Sequence, residues 1–262
     1  MEDHEFRNEL FKYFKIVISS NKSVTHMVEI EHHLKKISPE KQWDEKEVIF
    51  KAREIINEFM NNNLLMWGYG NSMGETVPWL TVTNFGKRCI EEENILPYDP
   101  EGYINALIQQ VPSIDAITLE YLKESIQTYN KNCLLSSNIT LGTASENIIN
   151  NLIETFTNAI SDAGRKADFE RRTNTWIIYT RYKEFINEFN TVKSTLPHEL
   201  KKDVEVYLDG MFNFIRLNRN QAGHPTGKRL NKKIIYSNIQ IFSEYSQRIF
   251  DLIDYFNNNS II

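Results

Sequence analysis

Arg216-Leu217-Asn218-Arg219-Asn220-Gln221-Ala222-Gly223-His224-Pro225-Thr226-Gly227 closes a long amphipathic pattern, and the rest of the chain is arranged around it. Here strong bases, an amide and a histidine converge where acid is missing. From Arg216 to Lys233 the bases are Arg216, Arg219, Lys228, Arg229, Lys232 and Lys233, with no Asp or Glu, in a chain of net charge -5. So sharp a reversal of sign points to an anion site. Residues four apart on a helix share a face, so Arg216, Asn220 and His224 align if the helix persists that far, with Arg219 on the neighbouring flank. Pro225 disfavours the α conformation at His224 and Gly223 loosens the turn before it. The imidazole is therefore expected at a frayed helix end, open to a ligand.

Working upstream, this helix begins near Pro197, at a first turn where proline is tolerated, and buries Leu200, Val204, Tyr207, Leu208, Met211, Phe214 and Ile215. Comparable stripes predict helices over 115–136, 139–163, 171–190 and 232–257. Long helices with short polar links pack most simply as an antiparallel bundle. The aromatic residues in these stripes are assigned to packing alone.

The N-terminal part has a different pattern. Helical spacing over 5–18 is followed by a second helix from Val24 that Pro39 closes, and by a third that Asp44 caps, with Glu47 three residues on. Leu64-Leu65-Met66-Trp67 and Trp79-Leu80-Thr81-Val82-Thr83 read as strands flanking a glycine-containing loop, and Thr83-Asn84-Phe85-Gly86 leads into another helical turn. Residues 22–96 thus resemble a winged helix-turn-helix, a module that commonly reads DNA through the second helix of its pair. That helix carries Asp44, Glu45, Glu47, Glu54 and Glu58 against Lys46, Lys51 and Arg53, a poor match to a phosphate backbone. A packing or protein-contact role is favoured, with DNA binding left open. Pro97, Asp99, Pro100 and Gly102 mark the join. The expected fold class is mainly α: an N-terminal helix and small α+β winged-helix-like domain at 1–96, and an antiparallel helical bundle at 97–262.

A hydrophobic fraction of 41% and a charged fraction of 25% are those of a soluble globular protein. Two cysteines without paired spacing, no signal peptide and no long apolar run predict a cytoplasmic protein off the membrane, without zinc or a disulfide framework. His26, His32 and His33 lack organised Cys or Asp partners, and adjacent histidines point to different sides of a helix, so they are read as surface residues rather than metal ligands. Gly68, Gly70 and Gly74 lack the lysine and hydroxyl of a phosphate loop.

Each residue of the opening stretch suits phosphate chemistry. Arg219 offers a planar, permanently charged fork for two phosphoryl oxygens; His224 titrates near neutrality and can move a proton; the Asn220 amide can orient either partner. Arg216, Lys228, Arg229, Lys232 and Lys233 are candidates to track an RNA backbone, a solvated charged turn being the alternative for the last four. A capping histidine held by a backbone carbonyl is the structural alternative for His224.

Arg219-Asn220-Gln221-Ala222-Gly223-His224 resembles the Arg-x4-His motif of HEPN domains, at the end of a bundle helix and with a polar residue beside the arginine. The resemblance covers the bundle at about 113–257. It implies a metal-independent endoribonuclease needing no cofactor, of the kind found in toxin, antiviral and RNA-processing systems. It further implies a homodimer whose motifs share one cleft, and a regulatory or antitoxin protein as partner. By the same resemblance Arg219 and His224 form the catalytic pair, Asn220 supports them, and Glu146 corresponds to the acid some members hold near the cleft. Other members have lost activity and serve as binding modules. An inactive RNA- or protein-binding module, or a winged-helix transcriptional regulator, is therefore the alternative function.

Overall fold

A computed structural model describes residues 3–20, 22–68, 79–91, 100–222 and 230–261 of the chain. Among them are twelve α-helices, one 3-10 turn and a small three-stranded antiparallel sheet, so the protein is mainly helical. The chain divides into two compact units, residues 1–103 and 104–262.

In the first unit, helix α1 (Asp3–Ser19) precedes strand β1 (Val24–His26), helices α2 (Met27–Lys41) and α3 (Glu45–Asn61), strands β2 (Leu65–Trp67) and β3 (Trp79–Val82), and helix α4 (Asn84–Glu91). The sheet order is β1-β3-β2, with Thr25 opposite Leu80 and Met66 opposite Thr81. Phe6, Leu10, Phe14, Ile30, Leu34, Val48, Ala52, Ile55 and Phe59 form a sealed core beneath it. Burying such side chains contributes roughly 1.5–3 kcal/mol each before conformational entropy is subtracted.

Two expectations fail here. Val24 and Thr25 do not open a helix: they are strand, because β-branched residues fit the ladder against β3 and His26 starts the helix one residue later. The His26 imidazole Nδ1 accepts from the Val28 amide at 3.1 Å, while Glu29 reaches back toward the His26 amide, a reciprocal cap. Nor does Pro39 close α2, which runs through it to Lys41 and stops where Gln42 turns left-handed at φ 56°. Asp44 caps α3 as expected, its carboxylate accepting from the Lys46 and Glu47 amides.

The linking helix α5 (Pro100–Gln110) ends ahead of Pro112. The second unit continues with α6 (Ala116–Asn130), α7 (Leu134–Ala159), α8 (Ala163–Thr173), α9 (Ile178–Val192), a 3-10 turn, the one-turn helix α10 (His198–Lys201), α11 (Val204–Ala222) and α12 (Lys232–Asn258). The central element is α7, whose Leu141, Ala144, Ile148, Ile149, Leu152 and Phe156 have no exposed surface. Phe156 meets Phe169, Phe185 and Phe256 edge-on, with centroids 5.1–5.6 Å apart. The Asp115 carboxylate caps α6 and accepts from the amides of Asn147 and Asn151 on α7, pinning that hairpin. Ile261 forms a parallel bridge with Ile160, its N–H donating to the Ala159 carbonyl at 2.8 Å.

Boundaries differ from the periodic reading where the chain turns sharply. The helix expected to run to 136 stops at Asn130, Asn132 turning left-handed at φ 61° before α7 starts at Leu134. The helix expected from 171 is two helices, α8 and α9, because residues 174–177 leave the helical path and Asp162 caps a separate, highly polar α8. The helix from Pro197 breaks at Asp203, φ 54°, so α11 proper begins at Val204.

Candidate functional site

Packing fixes which helix ends of the second unit share one side. Tyr179 and Tyr182 of α9 both contact the Phe212 ring of α11, and Tyr182 donates to Asp209 at 2.9 Å. Lower numbers on α9 therefore meet higher numbers on α11: the two run antiparallel. Arg181 of α9 donates to Asn150 of α7 at 2.7 Å, and Phe156 meets Phe185 further along, so α9 and α7 run parallel. On α12, Arg248 stands over Tyr207 while Tyr245 stacks with Phe214, an antiparallel pairing with α11. Tyr236 of α12 in turn faces Tyr129 at the end of α6.

Toward one end of the bundle thus lie the last turns of α11, the first turns of α12 and the end of α6, while α9 starts short of that end, beside Asn150 part-way along α7. Arg216, Arg219 and Asn220 have helical backbone in the last turns of α11, beyond Phe212. Their side chains, together with all of His224, Lys228 and Arg229, lie outside the described residues. Lys232 and Lys233 occupy the first turn of α12, which Asn231 caps by accepting from the Lys233 amide at 2.9 Å. The Lys232 ammonium stands 4.9 Å from the centre of the Tyr129 ring, a cation held on an aromatic face, while Lys233 is exposed. Glu146 is half-buried on α7, one turn before Asn150 and so on the side toward this end.

Cations further along are partly spent on structure. Glu188 of α9 is 8% exposed; burial alone would raise its carboxyl, but Arg165 and Arg172 hold it below its ordinary value. Arg172 also binds Asp168 and Glu184, which ties α8 to α9. An open groove of about 600 Å³ between α7, α8 and α9 is lined by Glu154 and Glu170 as well as Arg171 and Arg181, a balanced set with no preference for anions.

Of the three histidines read as surface residues, His32 is exposed, whereas His26 and His33 are built more closely into the first unit. His26 caps α2 and meets the Trp79 ring edge-on at 4.8 Å; His33 is half-buried beside Tyr13, at 5.0 Å. Among the described residues no group of three or more His, Cys, Asp or Glu could hold a metal ion, and no helix is long and apolar enough to cross a membrane. The sequence offered one signal for a further residue, Trp176, 89% exposed in the turn ahead of α9: an apolar residue outside any helical stripe.

No protein-family model, curated protein or solved structure matches the chain.

Proposed function

We propose that the chain is a metal-independent endoribonuclease of HEPN type, acting as a homodimer with Arg219 and His224 as its catalytic pair. The supporting observation is the acid-free basic run from Arg216 to Lys233 at the join of α11 and α12, where one bundle end carries Arg219 in the last turns of a helix and Lys232 and Lys233 in the first turn of the next. In RNA the ribose 2′-oxygen is an internal nucleophile already beside the phosphorus. His224 takes the 2′ proton as the 2′-oxygen bonds to phosphorus. As the bond from phosphorus to the 5′-oxygen breaks, His224 of the partner subunit gives that oxygen a proton. Arg219 neutralises charge on the phosphorane, Asn220 orients a phosphate oxygen or the imidazole, and Arg216, Lys228, Arg229, Lys232 and Lys233 hold the flanking backbone. Glu146 is a supporting acid. The products carry a 2′,3′-cyclic phosphate and a 5′-hydroxyl.

The test compares wild type, Arg219→Ala and His224→Ala on RNA and on all-DNA of the same sequence, with product ends identified. Loss of cleavage in His224→Ala with fold and dimer intact is the expected result. Undiminished cleavage by purified His224→Ala, or cleavage of DNA, overturns it. Retained RNA binding with no turnover in wild type assigns the inactive binding-module alternative.

For the first unit, the order helix, strand, two helices, two strands, with sheet order β1-β3-β2, supports a winged-helix-like assignment. The acidic α3, whose Phe50 is 67% exposed, favours a regulatory protein over duplex DNA as its partner. A salt-titrated gel shift with duplex DNA checks this, and sequence-selective binding would instead assign a transcriptional regulator.

A further inference from the structure

We infer that the turn between α8 and α9 is a stacking platform for an unpaired base, so that the substrate of the site proposed above is single-stranded RNA; this rests on that proposal. Residues 174–177 leave the helical path and present Trp176 at 89% exposure, followed by Ile177 at 44% and Tyr179 at 56%. An indole that bare is costly to leave in water and contributes nothing to the core. The backbone that carries it is anchored on its C-terminal side: Tyr179, the second residue of α9, rests on Phe212, Arg181 donates to Asn150, and Ile177 N–H donates to the Thr175 hydroxyl.

Charge identifies the occupant. From Arg171 to Lys183 the chain carries Arg171, Arg172, Arg181 and Lys183 and no acid, a second acid-free basic stretch in an acidic protein, and this one has aromatic residues set among its cations. Arg172 is committed to Glu184 and Glu188 and Arg171 is paired with Asp168, although its side chain is 76% exposed, so Lys183, exposed one turn beyond Tyr179, is the cation left to meet a phosphate. The antiparallel match of Tyr179 to Phe212 directs this turn toward the last turns of α11, which carry Arg216 and Arg219. Cations that follow a phosphate backbone, next to an aromatic face that accepts any base, are the two parts of a single-strand binding surface. A duplex keeps its bases stacked on one another and has none to offer Trp176. A partner protein covering the same patch would be expected to meet basic side chains with acids, which makes an interface the competing outcome.

The experiment uses the full chain and a fluorescein-labelled 2′-O-methyl RNA of roughly ten nucleotides, which resists 2′-hydroxyl attack and suits a single-strand site. Trp176→Ala is expected to weaken binding of the single strand about tenfold, the lower end of what one stacked base contributes, and to leave duplex binding unchanged. Trp176→Phe keeps a ring and stays within about twofold, while the quenching of tryptophan emission on binding disappears. Single-strand affinity equal to wild type in Trp176→Ala overturns this inference and leaves the nuclease proposal standing. A change of oligomeric state in sedimentation with unaltered RNA affinity overturns it in favour of an interface. Wild type that neither binds nor cleaves RNA overturns both.

Discussion

The ring of Tyr182 lies flat on that of Phe212, with centroids 4.1 Å apart and planes 4° from parallel. Burial, and then the charge of Asp209, push the Tyr182 phenol well above its ordinary value, so it stays a neutral donor to that carboxylate. The contact joins α9 to the helix that carries Arg216 and Arg219. Tyr182→Phe removes only the hydrogen bond and is expected to lower stability by about 1 kcal/mol; Phe212→Ala removes the stacked ring and costs about 3 kcal/mol. Urea titration of the two variants checks the order, and equal losses would mean that the stack adds nothing beyond the hydroxyl.

Arg7, 4% exposed, donates to Glu58 at 2.7 Å and to Glu101 at 2.9 Å. Replacing it with Ala removes both charge-assisted hydrogen bonds and leaves the partly buried Glu58 without this partner, an expected cost of about 2 kcal/mol. Glu101 is 62% exposed at its side chain, so Glu101→Gln should cost under about 1 kcal/mol. Similar losses from the two substitutions in chemical denaturation would show that the arginine draws its hold elsewhere.

His33 is expected to make the first unit sensitive to acid. Burial lowers its pKa below the usual 6.5; Glu9 opposes this and Lys36 adds to it, and its buried Nε2 has no hydrogen-bond partner among the described residues. A histidine held neutral by the fold contributes its stability above the unfolded pKa and loses it as pH falls through the lower folded pKa. The urea midpoint of wild type should therefore drop between about pH 7 and pH 5 by more than that of His33→Phe. Parallel pH curves for the two proteins would refute the assignment.

Glu188 titrates in a lower window. Its folded pKa is depressed by Arg165 and Arg172 against the opposing effect of burial, so its stabilisation is present above the ordinary carboxylate range and fades as pH falls through the folded value. Glu188→Gln is expected to cost about 2 kcal/mol at neutral pH, the worth of charge-assisted hydrogen bonds, and to matter much less near about pH 3. A loss that does not vary with pH would point to packing instead.

Gly210 lies against the ring of Tyr245, which a Cβ would overlap. In a helix interior Gly→Ala ordinarily gains about 1 kcal/mol. Gly210→Ala should lose stability instead, and the double variant Gly210→Ala with Tyr245→Leu should recover part of it. Thermal melts of the single and double variants decide the point.

Periodicity made the long helices legible because burying a stripe on α7, α11 or α12 demands apolar residues every third or fourth position. Strand β1 escaped it: three residues are too few to show alternation, and their partner β3 lies more than fifty positions away. Helix α8 escaped for another reason, since only Phe169 and Thr173 of its side chains are buried and an Asp162 cap with a polar surface leaves no stripe to count. At the site, the sequence displays the charge of Arg216 to Lys233, but the direction of Trp176 and Tyr179 toward that end depends on Phe212 meeting α9, a long-range packing fact without a local signal.

The bridge from Ile261 back to Ile160 spans about a hundred positions of chain, whereas the α6–α7 hairpin pinned by Asp115 closes over about thirty. Loop closure costs entropy before distant contacts repay it, so the hairpin is expected to form early and the terminal clasp to dock last. A proline at 261, unable to donate to Ala159, would accordingly hasten unfolding while leaving the refolding rate nearly untouched.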